Sequence, residues 1–297
     1  MAFSFRLFRI FVAVAHEESF TRAAAQLGLT QPAVSKSVRD LEHEAGVALV
    51  ERGPTGIKLT EPGRVLLGHA RTILAEARAA HESLNAMRGL GDAVLRIGAS
   101  PTIATYLLPA LLQRFHERHP AVDVSLHTAP SRAVATALLE RELDIGLIEA
   151  PVPDDPRLEI APWRRDELVV IAAPSHPLAR RTPNGPIATA SLVDELMVLR
   201  EPGSGTRQLV LDTLGARGIV PQRTLHADSV EAIKRIVAAG LGLSIVSRAA
   251  IEDMLTLRRL VVLELTDLEI TRSLQRLTVR NEQSAAVRGF ISVLIRD

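Results

Sequence analysis

Ser19-Phe20-Thr21-Arg22-Ala23-Ala24-Ala25-Gln26-Leu27-Gly28-Leu29-Thr30-Gln31-Pro32-Ala33-Val34-Ser35-Lys36-Ser37-Val38-Arg39 is the stretch that decides the fold. Ser19 stands where a helix cap is expected, and Gly28 stops the helix Phe20–Leu27 that follows. Thr30 reads as the cap of the next helix, with Pro32 in its first turn, where a missing N–H costs little. That second helix runs through Val34, Val38 and Leu41 to Gly46. Two short helices joined by a glycine-containing turn make a helix-turn-helix pattern. Arg22, Lys36 and Arg39 fall between Thr21 and Arg39 without a single acid, whereas Glu17, Glu18, Asp40, Glu42 and Glu44 lie outside that window.

Upstream, Phe5, Phe8, Phe11, Val12 and Ala15 recur at helical spacing and predict an amphipathic helix over 5–16. Downstream, Leu49-Val50 and Ile57-Lys58-Leu59 flank Gly53-Pro54-Thr55-Gly56, a short hairpin with a polar tip, or wing. Glu61-Pro62-Gly63 then opens a helix without a breaker as far as Arg88. Leu66, Ala70, Ile73, Ala77, Ala80, Leu84 and Met87 alternate at four and three residues, an a/d seam on a rod of roughly 40 Å. Such a stripe predicts pairing with a second copy of the chain. Residues 89–93 read as a hinge.

Beyond the hinge, short apolar strands alternate with helices. The strands are expected at Val94–Ile97, Val122–Leu126, Ile145–Ile148, Leu168–Ala172, Met197–Leu199, Leu243–Val246, Val261–Leu265 and Ser273–Val279. The helices are expected at 103–117, 131–142, 206–217 and 229–240. This alternation predicts α/β layers on a parallel or mixed sheet. The domains are therefore a winged helix-turn-helix (1–60), a linker helix (61–88), the hinge and an α/β domain (94–297).

Composition narrows the function. At 297 residues and 47% hydrophobic content the chain can build more than one core. It has no cysteine, which excludes disulfides, iron–sulfur clusters and thiolate zinc sites and fits a reducing cytoplasm. The apolar stretch Ile10–Ala15 is too short for a secretory leader, and no run approaches a transmembrane length. A net charge of +1 rules out a basic sheath, and one Trp and one Tyr are too few for stacking along a single strand.

Ser19-Phe20-Thr21, Ala23-Ala24, Leu27, Gln31-Pro32-Ala33-Val34-Ser35, Leu41-Glu42, Arg52, Leu59-Thr60 and Gly63 together resemble the LysR-type transcriptional regulators. Looser similarity continues in Gly98-Ala99-Ser100, Leu143-Asp144-Ile145-Gly146-Leu147, Pro174-Ser175-His176-Pro177-Leu178 and Gly240-Leu241-Gly242-Leu243-Ser244. The resemblance implies a winged-helix DNA-binding domain, a long dimerisation helix and an effector domain resembling a type-2 periplasmic binding protein. That domain would have two subdomains, about 94–163 with 269–297 and about 164–268, with the ligand between them. It also implies a cytoplasmic homodimer, assembled further into a tetramer, with promoter DNA and RNA polymerase as partners. Val50 departs from the pattern, which has an aromatic Phe before the wing.

For DNA, the helix after Thr30 is the expected reader of the major groove. Gln31 can pair with adenine, Pro32 or Ala33 can touch a thymine methyl, and Ser35, Lys36 and Arg39 lie along the same side. Thr21, Arg22, Thr30, Lys36 and Arg39, with Arg52 and Lys58 on the wing, are candidates for phosphate or flanking contacts. For the effector, Ser100-Pro101-Thr102 and Gly203-Ser204-Gly205-Thr206 each join a strand to a helix, where backbone N–H groups and hydroxyls suit an anion. A carboxylate or a sulfur oxyanion is the expected co-inducer; no cofactor is expected.

Other patterns fall short. His116 and His119 lack a third metal ligand nearby, and Pro120 follows them. No Gly-x-Ser-x-Gly or Walker sequence appears, and Gly240-x-Gly242 precedes a strand rather than following one. An enzyme is therefore not expected. A solute-binding protein, or an α/β enzyme with an accessory DNA-binding domain, stands as the alternative.

Overall fold

The computed structural model describes residues 3–53, 56–87, 93–180, 185–280 and 284–295. The wing tip Pro54-Thr55 and most of the expected hinge lie outside these residues. The chain divides into two compact units, Met1–Ala93 and Val94–Asp297.

In the first unit, α1 (Phe5–Glu17), α2 (Phe20–Leu27) and α3 (Gln31–Ala45) precede a hairpin of β1 (Val50–Gly53) and β2 (Gly56–Leu59), followed by α4 (Glu61–Met87). Phe8, Phe11, Val14, Ala23, Val34, Val38, Leu41 and Leu49 close the core. Glu42 ties α3 to the hairpin, accepting from the N–H groups of Leu49 at 2.8 Å and Val50 at 3.1 Å. Thr60 donates to the Ala48 carbonyl at 2.7 Å and accepts from Gly63 N–H at 3.0 Å. A Cβ at position 63 would collide with the Leu49 carbonyl, so glycine is required where α4 crosses the hairpin. Glu42, Thr60 and Gly63 thus build the fold rather than meet a ligand.

In the second unit, β3 (Ala93–Ala99), β4 (Val122–Thr128) and β5 (Ile145–Ile148) alternate with a π-turn at Ile103–Leu107, α5 (Leu108–Arg118) and α6 (Ser131–Leu139). The chain crosses by β6 (Leu158–Ala172) to β7 (Leu196–Arg200), α7 (Gly205–Gly215), β8 (Arg223–Ala227), α8 (Val230–Ala238), β9 (Ser244–Ser247), α9 (Glu252–Thr256) and β10 (Val261–Leu263). It returns by β11 (Ile270–Val279) to α10 (Ala285–Ile295). The main sheet runs β10-β6-β11-β5-β3-β4, with β9 on β6 and a parallel pair β7-β8 apart from it. β6 and β11 pair antiparallel from Leu158↔Val279 to Leu168↔Ile270 and serve both halves.

Apolar cores form on either side of this ribbon. Leu95, Ile97, Leu111, Phe115, Leu274 and Phe290 fill one; Leu168, Val170, Met197, Leu199, Val210 and Leu243 fill another. β6 and β11 are longer than the expected Leu168–Ala172 and Ser273–Val279. Pro162 and the charged run Arg164–Glu167 hide β6 from any alternation. A register shift between Leu274 and Gln275 skips Trp163, the bulge at which a strand tolerates the neighbouring proline. Trp163 uses the bulge to donate to the Leu294 carbonyl at 3.2 Å. Gly242, at φ +73°, lies so close to the Leu196 carbonyl that a Cβ there would collide, which explains its glycine.

Candidate functional site

The α2–α3 pair is set by the caps that the sequence carries. Ser19 accepts from Arg22 N–H, and Gly28 adopts φ 64° to end α2. Thr30 occupies the cap position of α3 with extended backbone but makes no side-chain capping bond, leaving its hydroxyl exposed. Gln31, Pro32, Lys36 and Arg39 are exposed along α3, and Ala33 is half-buried. Ser35 corrects the sequence reading: it is only 8% exposed, because the helix turns it towards the buried side shared with Val34 and Val38. Arg22 is exposed too; its Nε lies 3.3 Å from Glu17 Oε2 on α1, and its guanidinium donates a further bond to the Glu17 carbonyl. Thr21 is exposed beside it, and Lys58 is exposed on the wing. The side chain of Arg52 lies outside the described residues.

The α4 seam divides. Ala70 is fully buried, and Leu66 packs with it against Phe8, Phe11, Leu41 and Leu49, so these two belong to the unit's own core and not to a partner. Past that point Ile73, Ala77, Ala80 and Leu84 are exposed, Leu84 by 56%. The side chain of Met87 is outside the described residues.

In the second unit, three helix N-termini meet. Ser100 follows β3, Ser131 opens α6, and Ser204 caps α7. Ser100 Oγ lies 3.1 Å from Ser131 Oγ, which accepts from Ala150 N–H at 3.2 Å. A Cβ on Gly205 would strike the Ala150 methyl, so the start of α7 abuts the end of β5. The expected loops Ser100-Pro101-Thr102 and Gly203-Ser204-Gly205-Thr206 are thereby joined through Ser131 and Ala150. Gly203 is exposed at φ +92°, whereas Ser100, Thr102 and Thr206 are buried. Each helix N-terminus carries a dipole end equivalent to about half a positive charge.

Beside this junction lies a buried cluster that local sequence reading missed. Arg272 on β11 stands opposite Asp166 on β6 in the strand register, Nε to Oδ2 at 2.8 Å. Its Nη1 donates to Thr206 Oγ1 at 2.9 Å, and its Nη2 lies 3.0 Å from Glu149 Oε2. Thr206 Oγ1 in turn donates to Glu149 Oε1 at 3.3 Å, and Ser247 Oγ donates to Asp166 Oδ1 at 2.6 Å. One cation thus serves two carboxylates across the crossover strands. Arg200, buried at the end of β7, is bidentate to Glu201 at 2.7 and 2.9 Å.

A second polar contact spans the two halves. Tyr106, on the π-turn, lies 3.5 Å from Glu231 Oε2, and Lys234 Nζ is 4.8 Å from its ring centre. Lys234 is fully buried and paired with Glu231 at 3.0 Å and Asp253 at 3.3 Å. Burial pushes its pKa down, but its hydrogen bonds to Glu231 and Asp253 and the electrostatic pull of Tyr106 and Glu231 outweigh burial and leave it above the ordinary lysine value. Burial raises the Tyr106 phenol as well, against the pull of Lys234.

His176 is structural: Nδ1 accepts from Leu178 N–H at 3.2 Å and Nε2 lies 3.4 Å from Glu195. His119 stacks on Phe115 at 4.9 Å. Among the described residues, no cluster of three His, Cys, Asp or Glu is arranged to hold a metal, and no helix is long and apolar enough to cross a membrane.

Two family models match. "Bacterial regulatory helix-turn-helix protein, lysR family" covers residues 5–64, and "LysR substrate binding domain" covers residues 88–297. The chain is 38% identical over 269 residues to the HTH-type transcriptional regulator CbbR of Rhodospirillum rubrum, spanning 90% of this chain and 87% of that one. A full-length OxyR variant from Pseudomonas aeruginosa matches at a TM-score of 0.76 and 26% identity, over 100% of this chain and 94% of that one. The regulatory domain of Synechocystis CcmR in complex with 2-PG matches at 0.61 and 27%, over 69% of this chain and 97% of that one.

Proposed function

We propose that this chain, which belongs to the LysR family of bacterial helix-turn-helix regulators, changes its hold on promoter DNA when a small anion binds where its three helix N-termini meet. It is a DNA-binding transcriptional regulator, not an enzyme, by its membership over both units and its similarity to CbbR. Gln31, Pro32 and Ala33 meet base edges, and Thr21, Thr30, Lys36, Arg39, Arg52 and Lys58 meet the sugar-phosphate backbone. The α4 stripe Ile73, Ala77, Ala80, Leu84 and Met87 pairs two copies, and dimers pair again into a tetramer. The regulator works in the cytoplasm and contacts RNA polymerase at its promoters.

The observation that carries the effector reading is the convergence of Ser100, Ser131 and the α7 N-terminus around Ala150. Three helix ends pointing at one place create a field that favours an anion. CcmR, whose matching domain is in complex with 2-PG, supports a small ligand for the second unit. Such a ligand alters DNA binding only by preferring one arrangement of the two subdomains. Calorimetry of the full chain with a panel of carboxylates and sulfur oxyanions tests the site, and anisotropy with DNA from upstream of its own gene tests the coupling. Binding only by cations or neutral apolar compounds would refute it.

A further inference from the structure

The cluster around Arg272 is unevenly matched, and it lies beside the helix junction, joined to it through Thr206 and Glu149. The Glu149 and Arg272 side chains are 6% and 5% exposed. Glu149 Oε2 and Arg272 Nη2 are 3.0 Å apart but misaligned for a hydrogen bond, and neither has another hydrogen-bond partner among the described residues. Every other polar atom that the pair brings close is engaged: Glu149 Oε1 by Thr206, Arg272 Nε by Asp166, and Arg272 Nη1 by Thr206. Buried polar atoms without partners are unfavourable and rare, so a buried acceptor and a buried donor side by side call for something that satisfies both.

Charge narrows what that can be. With Asp166 already on Arg272, Glu149 leaves the cluster one negative charge in excess. An oxyanion or plain carboxylate brings acceptors only. It satisfies Arg272 Nη2 and the helix N-termini but sets like charge against Glu149.

Resting on the anion reading above, we infer that the effector is a small acid that carries a hydrogen-bond donor of its own beside the anionic group, a hydroxyl or an ammonium. Glu149 is the residue that selects for that donor. The acid group accepts from the helix ends and from Arg272 Nη2, while the neighbouring donor gives its hydrogen to Glu149 Oε2. Ala150, next in the chain, lies against Gly205 and limits the room for a ligand on that side.

Matched acids read this directly by calorimetry on the full chain: acetate, glycolate and glycine, then propionate, lactate and alanine. Glycolate or glycine should bind at least tenfold more tightly than acetate, with the same order in the three-carbon set. Which of the two leads tells hydroxyl from ammonium. In Glu149→Gln, which preserves size and folding, the preference should fall to within about twofold because the amide can donate to the anion. A thermal melt confirms that the variant is folded. Equal affinity for acetate and its donor-bearing partners in the wild type overturns the selectivity and leaves the anion site standing. Retention of the full preference in Glu149→Gln overturns the selectivity in the same way. Binding of none of these acids, nor of any sulfur oxyanion, overturns the anion site itself and this inference with it.

Discussion

Lys36 is the residue through which the DNA-reading surface can be tested most sharply. Lys36, Arg39 and Lys58 are exposed cations on that surface, and Arg22 beside them is ion-paired with Glu17. With Arg52 on the wing added, a dimer presents two sets of four, so about eight phosphates are neutralised, and log K should fall with log salt at a slope of about −7.2. Lys36→Ala withdraws about two of them and should reduce the slope to about −5.4. Between about 50 and 200 mM salt the wild type should lose about 22,000-fold in affinity and the variant only about 1,800-fold. The loss at low salt should be similar for specific and random duplexes, because a phosphate contact carries no sequence information. Fluorescence anisotropy at four salt concentrations gives both slopes. Identical slopes and affinities would remove Lys36 from the interface and, with it, the orientation of α3 on which the reading depends.

Four further perturbations separate the remaining roles. Ser35→Ala should leave DNA affinity almost unchanged, since Ser35 is buried, whereas Gln31→Ala should cost about 1–3 kcal/mol on the cognate site alone; a gel-shift that ranks them the other way refutes the assigned face. Leu84→Asp should weaken self-association at least tenfold by sedimentation while leaving the melting temperature of the fold in place, because Leu84 is 56% exposed; an unchanged mass would exclude the seam. Arg272→Met strands Asp166 and Glu149 without a cation and should destabilise the effector domain by about 3–5 kcal/mol, or roughly 6–20 °C; a loss under 1 kcal/mol in urea titration would deny the cluster its structural part. Tyr106 and Lys234 both hold their protons more tightly when folded, so the stability they add is complete below about pH 10 and lost as pH rises beyond it. Urea midpoints from pH 8 to 11 should therefore fall more steeply in the wild type than in Lys234→Met, and parallel curves would count against the pairing.

Local signals made the first unit legible. Ser19, Gly28, Pro32 and Gly46 each mark an element boundary within a few residues of its cause, and the structure uses all four. What periodicity could not settle was rotation at the edge of the buried stripe. Ser35 sits at that edge and turns inward, and Leu66 and Ala70 satisfy their own core before any partner. The placement of the two loops proposed to hold the effector was legible because a strand followed by hydroxyls or glycines and then a helix is a local pattern. The cluster beside them was not. Arg272 meets Thr206 from 66 residues away and Asp166 from 106, and only the pairing of β6 with β11 brings them together. No window of sequence contains that register. β6 itself is hidden because Pro162 and its charged run break every strand signature, and a bulge excuses them.

The electrostatics of the two sites differ in kind, and salt should separate them. On the DNA surface the charges are exposed, and their pairing with phosphates releases counterions, so affinity should be steep in salt. At the helix junction Arg272 already answers to Asp166 and Glu149. Attraction for an acid therefore comes chiefly from the fixed dipoles at Ser100, Ser131 and Ser204, which are partly or fully buried and weakly screened. Effector affinity should then change little over the range in which DNA affinity collapses. Raising salt to the point where DNA binding is weak, and titrating effector there, measures the sensing step alone. The difference between that affinity and the one measured on the DNA complex is the coupling free energy, and by reciprocity it must equal the change in DNA affinity that the effector produces.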